Sequence, residues 1–209
     1  MTESLGDLGV DSKVLADFRT VATSLISDNL NRLPGAVGLR PFHKSGVMVG
    51  VALTVKTPAG DNLAIHQALE LLKPGHVIVV DGGGDIGRAL FGEIMATLAK
   101  VRGAAGIVID GAIRDAKAIS DLDLPCFARA TIHKGPYKNG PGELNVPVTI
   151  GGMVVNPGDI VVGDDDGVVA FAPAEASKVL RLARSQEEHE TALLKSIRAG
   201  TYVSPYLRR

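Results

Sequence analysis

Three ionisable residues in the middle of the chain have types and spacing suited to handling a small acid: Glu93, Arg114 and Asp115. Twenty residues lie between Glu93 and Arg114, enough for one helix and one returning parallel strand, which would bring both ends to the same edge of a sheet. An arginine can fork onto a carboxylate or a developing enolate. An aspartate offers a hard oxygen to Mg²⁺, an ion that keeps several waters and needs only one or two protein carboxylates. Backbone N–H groups at Ile94 and Met95, just after Gly92, can bind an anion if a helix begins there. Together these groups would hold a 2-oxo acid and stabilise its enolate. On spacing alone, a structural ion pair between Arg114 and a nearby carboxylate is the competing explanation.

The elements that must position these groups are readable around them. Residues 76–81 form an apolar, β-rich run that feeds the turn Gly82-Gly83-Gly84. A helical pattern follows over about 86–101, and a second strand, 106–110, opens onto Gly111-Ala112-Ile113-Arg114-Asp115. Ligands of such units gather outside the carboxyl ends of the strands. Before this unit, the pattern predicts helices over 12–19 and 24–33 and a strand over 46–56. Asp61 then caps a helix over 62–72. After it come a short helix at 116–120, a strand at 125–128 and a polar, Gly- and Pro-rich loop over 131–143. Short strands follow to residue 171, and a closing helix runs over 174–199. The order predicts one α/β domain over 1–209, a layered sandwich with a mixed sheet.

Several other constellations suggest chemistry and are weaker. Gly82-Gly83-Gly84-Asp85-Ile86-Gly87 fits the dinucleotide pattern G-x-G-x-x-G. Yet Asp81 and Asp85 put negative charge where a pyrophosphate would approach, and Asp110 comes later than the ribose-binding acid should. Lys56 ends a strand and is the one lysine placed for Schiff-base chemistry, which would need it desolvated. His66 lies on a helix, where a lone histidine is more often packed or solvated than functional. Asp164-Asp165-Asp166 lacks the spacing of a calcium loop and reads as a turn. His133, Lys134 and Lys138 give the 131–143 loop a positive face toward an anionic substrate, or leave it a solvated connector.

Composition narrows the classes further. A 45% hydrophobic chain of 209 residues with net charge −1 has the means for a core and no basic field for nucleic acid or anionic membrane. Aromatics at 4% and the absence of Trp argue against base-stacking surfaces. A single cysteine, Cys126, excludes intrachain disulfides and Cys-rich zinc sites. Residues 1–7 lack a basic stretch followed by an apolar one, and no apolar run approaches the ~18 residues of a membrane span. A reducing, cytoplasmic setting is the expectation.

Four stretches carry a resemblance over most of the chain: Thr57-Pro58-Ala59-Gly60-Asp61-Asn62-Leu63-Ala64, Gly92-Glu93-Ile94-Met95-Ala96-Thr97, Val108 to Asp115, and Gly163-Asp164-Asp165-Asp166-Gly167-Val168-Val169. With them the sequence resembles the 4-hydroxy-4-methyl-2-oxoglutarate aldolases and oxaloacetate decarboxylases. These are metal-dependent class II pyruvate aldolases, related to the regulator of ribonuclease activity A. The resemblance implies a swivelling, phosphohistidine-domain-like fold, assembled as a homotrimer or a hexamer with sites between subunits. It implies Mg²⁺ or Mn²⁺ on Asp115, Arg114 on the pyruvyl oxygen, and the backbone of Ile94 and Met95 on the carboxylate, after Gly92. The aldolases have Asp at the position of Glu93, acting through metal-bound water; glutamate keeps the charge and moves it about 1.5 Å outward. The ribonuclease regulator has Gly there, so Glu93 favours an enzyme, a C–C lyase that releases pyruvate through a metal-stabilised enolate. A glutamate from a neighbour's closing helix reaches the metal waters in the aldolases; Glu190 is the best match, with Glu187 and Glu188 as alternatives. The different-class alternative is a non-catalytic regulator that binds a ribonuclease.

Overall fold

The computed structural model describes residues 8–204, so the reading of residues 1–7 lies outside the described residues. The first half contains α1 (Ser12–Phe18), α2 (Thr23–Asp28), β1 (Arg40–Pro41), β2 (Met48–Lys56), α3 (Leu63–Glu70), β3 (His76–Asp81), β4 (Ala89–Phe91) and α4 (Glu93–Val101). The second half contains β5 (Gly106–Ile113), α5 (Ala116–Asp121), β6 (Cys126–Thr131), β7 (Glu143–Leu144), β8 (Val148–Ile150), β9 (Met153–Val155), β10 (Ile160–Asp164), β11 (Gly167–Phe171) and α6 (Ala176–Arg198).

The runs β2, β3 and β5 are apolar almost without interruption, the mark of strands covered on both faces. They form the parallel centre of a mixed sheet ordered β1-β6-β5-β3-β2-β10-β11. β1, β10 and β11 join antiparallel, and β7 pairs with β2. Alternation along the strands separates two faces. Leu53, Val55, Ile78, Val80, Ile107 and Ile109 pack with Ile65, Leu69, Met95 and Ala96 of α3 and α4. Val49, Val51, Ile160, Val162, Val169 and Phe171 pack with Phe18 and Val179 of α1 and α6. The opposite face, with Ala52, Val77, Val79 and Val108, is closed by Val148, Ile150 and Val155 of the β8–β9 hairpin and by Val161, Val168 and Ala170. The sheet therefore curls nearly shut over the hairpin, with the helices outside. Among the described residues no helix is long and apolar enough to cross a membrane.

Two expected helices differ from the sequence pattern. Residues 86–92 are not helical: Ala89, Leu90 and Phe91 are buried and extend β5 as β4, pairing Ala89 with Ala112 and Phe91 with Ile113 beyond the point where β3 stops at Asp110. A three-residue apolar run has no period of its own, so it blends into the helix after it. The glycine turn is consequently no nucleotide cradle. Gly83 and Gly84 take φ of 68° and 70°, the carboxylates of Asp81 and Asp85 cap the N–H groups of Gly83 and Gly87, and a strand follows where the fingerprint requires a helix. The second helix stops at Asp28, and it cannot resume to Leu33 because Asn31 and Arg32 turn left-handed, at φ 61° and 59°.

The triple aspartate is a turn with a structural task. Asp164 accepts the Thr23 backbone N–H at 2.8 Å and its hydroxyl at 2.6 Å, capping α2, whose own N-cap residue, Ala22, cannot. Asp164→Ala is expected to lower unfolding free energy by about 1–2 kcal/mol in urea titration; an unchanged midpoint would show that α2 does not depend on this cap. Burial pushes the Cys126 thiol up to about 12, so it should stay unlabelled by a thiol reagent until the protein unfolds.

Candidate active site

The pairing of β4 with β5 assembles the site. The Arg114 N–H donates to the Phe91 carbonyl at 2.9 Å, so the chain leaving β4 and the chain leaving β5 emerge side by side. Gly92 follows β4 and is the N-cap of α4, which makes Glu93, Ile94 and Met95 its first turn. The N–H groups of that turn have no intrahelical acceptors and carry the positive end of the helix dipole. The Glu93 N–H donates to Asp115 Oδ2 at 3.2 Å. Asp115 Oδ2 also lies 3.6 Å from Arg114 Nε, so the ion pair expected as the structural alternative exists, but it is open, with both side chains 44% exposed. Asp115 Oδ1 has no protein partner among the described residues. Asp115 adopts φ 56° and ψ 36°, a left-handed conformation that aspartate tolerates better than most residues and that is concentrated at functional sites.

A side chain at position 92 would have to push these groups apart. A Cβ on Gly92 would stand 2.7 Å from Asp115 Oδ2 and 3.1–3.2 Å from the Arg114 side chain. Arg114, Asp115, Gly92, Ile94 and Met95, all expected from the sequence, line one cleft of about 150 Å³. That volume is well under the roughly 300–1,000 Å³ of drug-sized sites and suits a small acid rather than a nucleotide. Glu93 is exposed at the first position of α4 beside it. Glu190 is elsewhere: α6 packs on α1 and α2, and Glu190 accepts a bond from Gln186 at 2.9 Å. Glu187 pairs with Arg184, Glu188 is exposed, and among the described residues no part of α6 lines the cleft. Lys56, the Schiff-base candidate, has a side chain 56% exposed, 3.9 Å from Glu143, without the desolvation that chemistry needs.

The opposite wall was largely hidden in the sequence. Asn62, His66, Pro136 and Lys138 form it, and β4 itself supplies the rest of the lining with Ala89, Leu90 and Phe91. Asn62 is 3% exposed, and its amide donates to the Leu90 carbonyl at 3.0 Å, which leaves Oδ1 buried with no partner. The His66 imidazole is held below its ordinary pKa by burial and, after that, by the charge of Lys138. The loop carrying Pro136 and Lys138 is fastened through Asp61, whose carboxylate accepts the N–H groups of Leu63, Asn139 and Gly140. Arg88 fixes it from the other side, donating to the Gly135 carbonyl at 2.8 Å and the Tyr137 hydroxyl at 2.7 Å. The loop is thus a built wall, not the solvated connector.

A curled mixed sheet with helices outside and an Arg–Asp pair at its carboxyl edge, facing a helix N-terminus, defines a layered α/β protein with one small cleft beside that pair. The RraA-like family, described as Aldolase/RraA, matches residues 23–170, and the chain belongs to it. A protein of Halalkalibacterium halodurans named "Putative 4-hydroxy-4-methyl-2-oxoglutarate aldolase" is 39% identical over 184 residues, 88% of each chain. Among solved structures, an uncharacterized protein from Pseudomonas syringae pv. tomato superposes with a TM-score of 0.82 at 28% identity, covering 92% of both chains. Streptomyces coelicolor RraAS2, described as an unusual member of the RNase ES inhibitor RraA protein family, has a TM-score of 0.78 at 28% identity, covering 87% of this chain and 95% of that one.

Burial alone would raise the Asp61 pKa, but the three backbone donors outweigh it and hold the carboxyl below its ordinary value. Its stabilisation of the loop is therefore present above the unfolded pKa of about 4 and is lost as pH falls through the lower folded value. In Asp61→Asn, the amides of Asn139 and Gly140 should exchange about tenfold faster in hydrogen–deuterium exchange at neutral pH. Equal protection in the variant would mean that other bonds hold the loop.

Proposed function

We propose that the protein is a divalent-metal-dependent C–C lyase that cleaves 4-hydroxy-2-oxo acids of the 4-hydroxy-4-methyl-2-oxoglutarate type to pyruvate and also decarboxylates oxaloacetate. The observation that carries the reading is the meeting of Arg114, Asp115 and the first turn of α4 in one small cleft around Gly92. The name of the 39%-identical relative supports the aldol substrate class.

Among the described residues no three His, Cys, Asp or Glu side chains cluster to cage an ion. The donor set still fits Mg²⁺ or Mn²⁺, because a hydrated hard cation needs one or two carboxylates, and Asp115 offers a free, half-exposed oxygen. Glu93, and Glu190 from a neighbouring subunit, would hold the ion's waters. When bound, the ion supplies Lewis-acid polarisation of the C2 carbonyl. The chain's own groups do the rest. The Ile94 and Met95 N–H groups take the C1 carboxylate, helped by the helix dipole. Arg114 holds the C2 oxygen as it gains enolate charge. Glu93 moves a proton at C3 through water. Lys138 and Asn62, across the cleft, face the far end of the substrate. The contribution of Glu190 requires a second copy, in keeping with a homotrimer or hexamer. The last turns of α6 leave Leu194 and Ile197 48% and 47% exposed, and Ile94 at the cleft rim is 81% exposed.

The test is pyruvate release from both substrates, with Mg²⁺ and with EDTA, corrected for decarboxylation by free metal. Wild type should turn over only with metal, Asp115→Ala should fall to the blank, and Arg114→Lys should lose about 10²-fold in kcat. No turnover above the blank on either substrate would shift weight to the second reading, a non-catalytic regulator of a ribonuclease. The likeness to RraAS2 favours that reading, and nuclease pull-down would examine it.

A further inference from the structure

The machinery described so far accounts for the enolate but not for the hydroxyl at the other side of the breaking bond. Cleavage of a 4-hydroxy-2-oxo acid requires that the C4 hydroxyl lose its proton, whereas decarboxylation of oxaloacetate requires no such step. The wall opposite Arg114 and Asp115 carries two acceptors without hydrogen-bond partners among the described residues: Asn62 Oδ1, buried and unpaired, and the His66 imidazole, one helical turn further along α3. The His66 N–H bonds the Asn62 carbonyl at 3.2 Å, so the two side chains stand on the same face of the helix and line the same cleft. A buried acceptor without a donor is costly unless a ligand supplies one. Pyruvate and oxaloacetate, as their anionic keto forms, have no O–H to offer. The C4 hydroxyl of an aldol substrate does.

We propose that His66 is the general base that removes the C4 hydroxyl proton during C–C cleavage, the one C4 O–H forking between the imidazole nitrogen and the Asn62 amide oxygen in the bound substrate. This rests on the lyase reading. The proton passes from the hydroxyl to an imidazole nitrogen, and the O–H electron pair becomes the new C4 carbonyl. The C3–C4 bond breaks, and its pair enters the enolate whose charge sits on the C2 oxygen at Arg114. A proton delivered at C3 on the Glu93 side completes pyruvate, so one proton leaves and one arrives. An amide oxygen is too weak a base to keep the proton; an imidazole is not. Burial and the charge of Lys138 favour the neutral imidazole, the form that acts as a base. Arg114 and Asp115 at the end of β5 are the other charged groups lining the cleft.

The experiment measures cleavage of 4-hydroxy-4-methyl-2-oxoglutarate and decarboxylation of oxaloacetate on the same preparations of wild type, His66→Gln and His66→Ala with saturating Mg²⁺. The expected result is a ratio of cleavage to decarboxylation that falls about 10²-fold or more in both variants. Added imidazole should raise cleavage in His66→Ala. The acid limb of wild-type kcat/KM for cleavage, lying below the ordinary imidazole pKa of about 6.5, should be missing from decarboxylation. Variants in which the two rates fall together, or in which the ratio holds, overturn the role of His66 and leave the lyase standing. A wild type that turns over neither substrate overturns both.

Discussion

The bond from the Arg114 N–H to the Phe91 carbonyl closes the parallel pairing of β4 with the end of β5, and the cleft depends on that pairing. β3 leaves β5 at Asp110, so without β4 the last residues of β5 would run on unpaired on that side. With β4 in place, the segment leaving it must turn into α4 within reach of Asp115. The turn is a single residue, Gly92, and the absence of its side chain lets the helix N-terminus, the guanidinium and the carboxylate share so little space. On the far side, the Ile132 N–H bonds the Ile113 carbonyl at 2.9 Å, so β5 is held by both neighbours up to the residue before Arg114.

Charge in the cleft is unevenly distributed. The end of β5 and the start of α4 provide cationic and dipolar groups for an anion, with one carboxylate among them. The opposite wall has one ammonium, one imidazole held below its ordinary pKa by burial and one unpaired amide oxygen. On the proposed reading, such a cleft would distinguish the two ends of an extended diacid: one end would meet charge-stabilising groups fixed by the sheet, the other the ammonium, imidazole and amide oxygen of the far wall. The acids beneath the site are committed elsewhere. Asp110 pairs with Arg129 and accepts the Gly151 N–H, and Asp81 accepts the N–H groups of Gly83 and Thr149. They stitch the strand ends to the β8–β9 hairpin instead of entering the chemistry.

The parallel centre of the sheet was plain in the sequence, because strands buried on both faces write unbroken apolar runs. Arg114, Asp115 and the first turn of α4 were also legible, since spacing alone returns them to one edge. β4 was not. Three residues have no periodicity, and their state is decided by pairing with Ala112 and Ile113, more than twenty positions away. Asn62 reads only as a residue at a helix start, and Lys138 as a basic loop residue offered to an anionic substrate, with no sign that the two share a wall. Their meeting follows from the backbone bond between the Asn62 N–H and the Tyr137 carbonyl, and nothing in either segment announces it. His66 looked like an ordinary helical histidine, because what distinguishes it is the cleft in front of it.

The loop bearing Pro136 and Lys138 is fastened almost wholly through backbone groups: to the Asp61 carboxylate, to the Gly60 carbonyl and, from the Lys134 carbonyl, to the Ala89 N–H. The side chain of Lys138 contributes to none of these bonds. Its identity is therefore free to vary while the wall keeps its shape, whereas a side chain at Gly92 would displace Arg114 and Asp115, and Asp115 itself holds a left-handed backbone. The fold thus uncouples the shape of this wall from the charge that Lys138 presents on it.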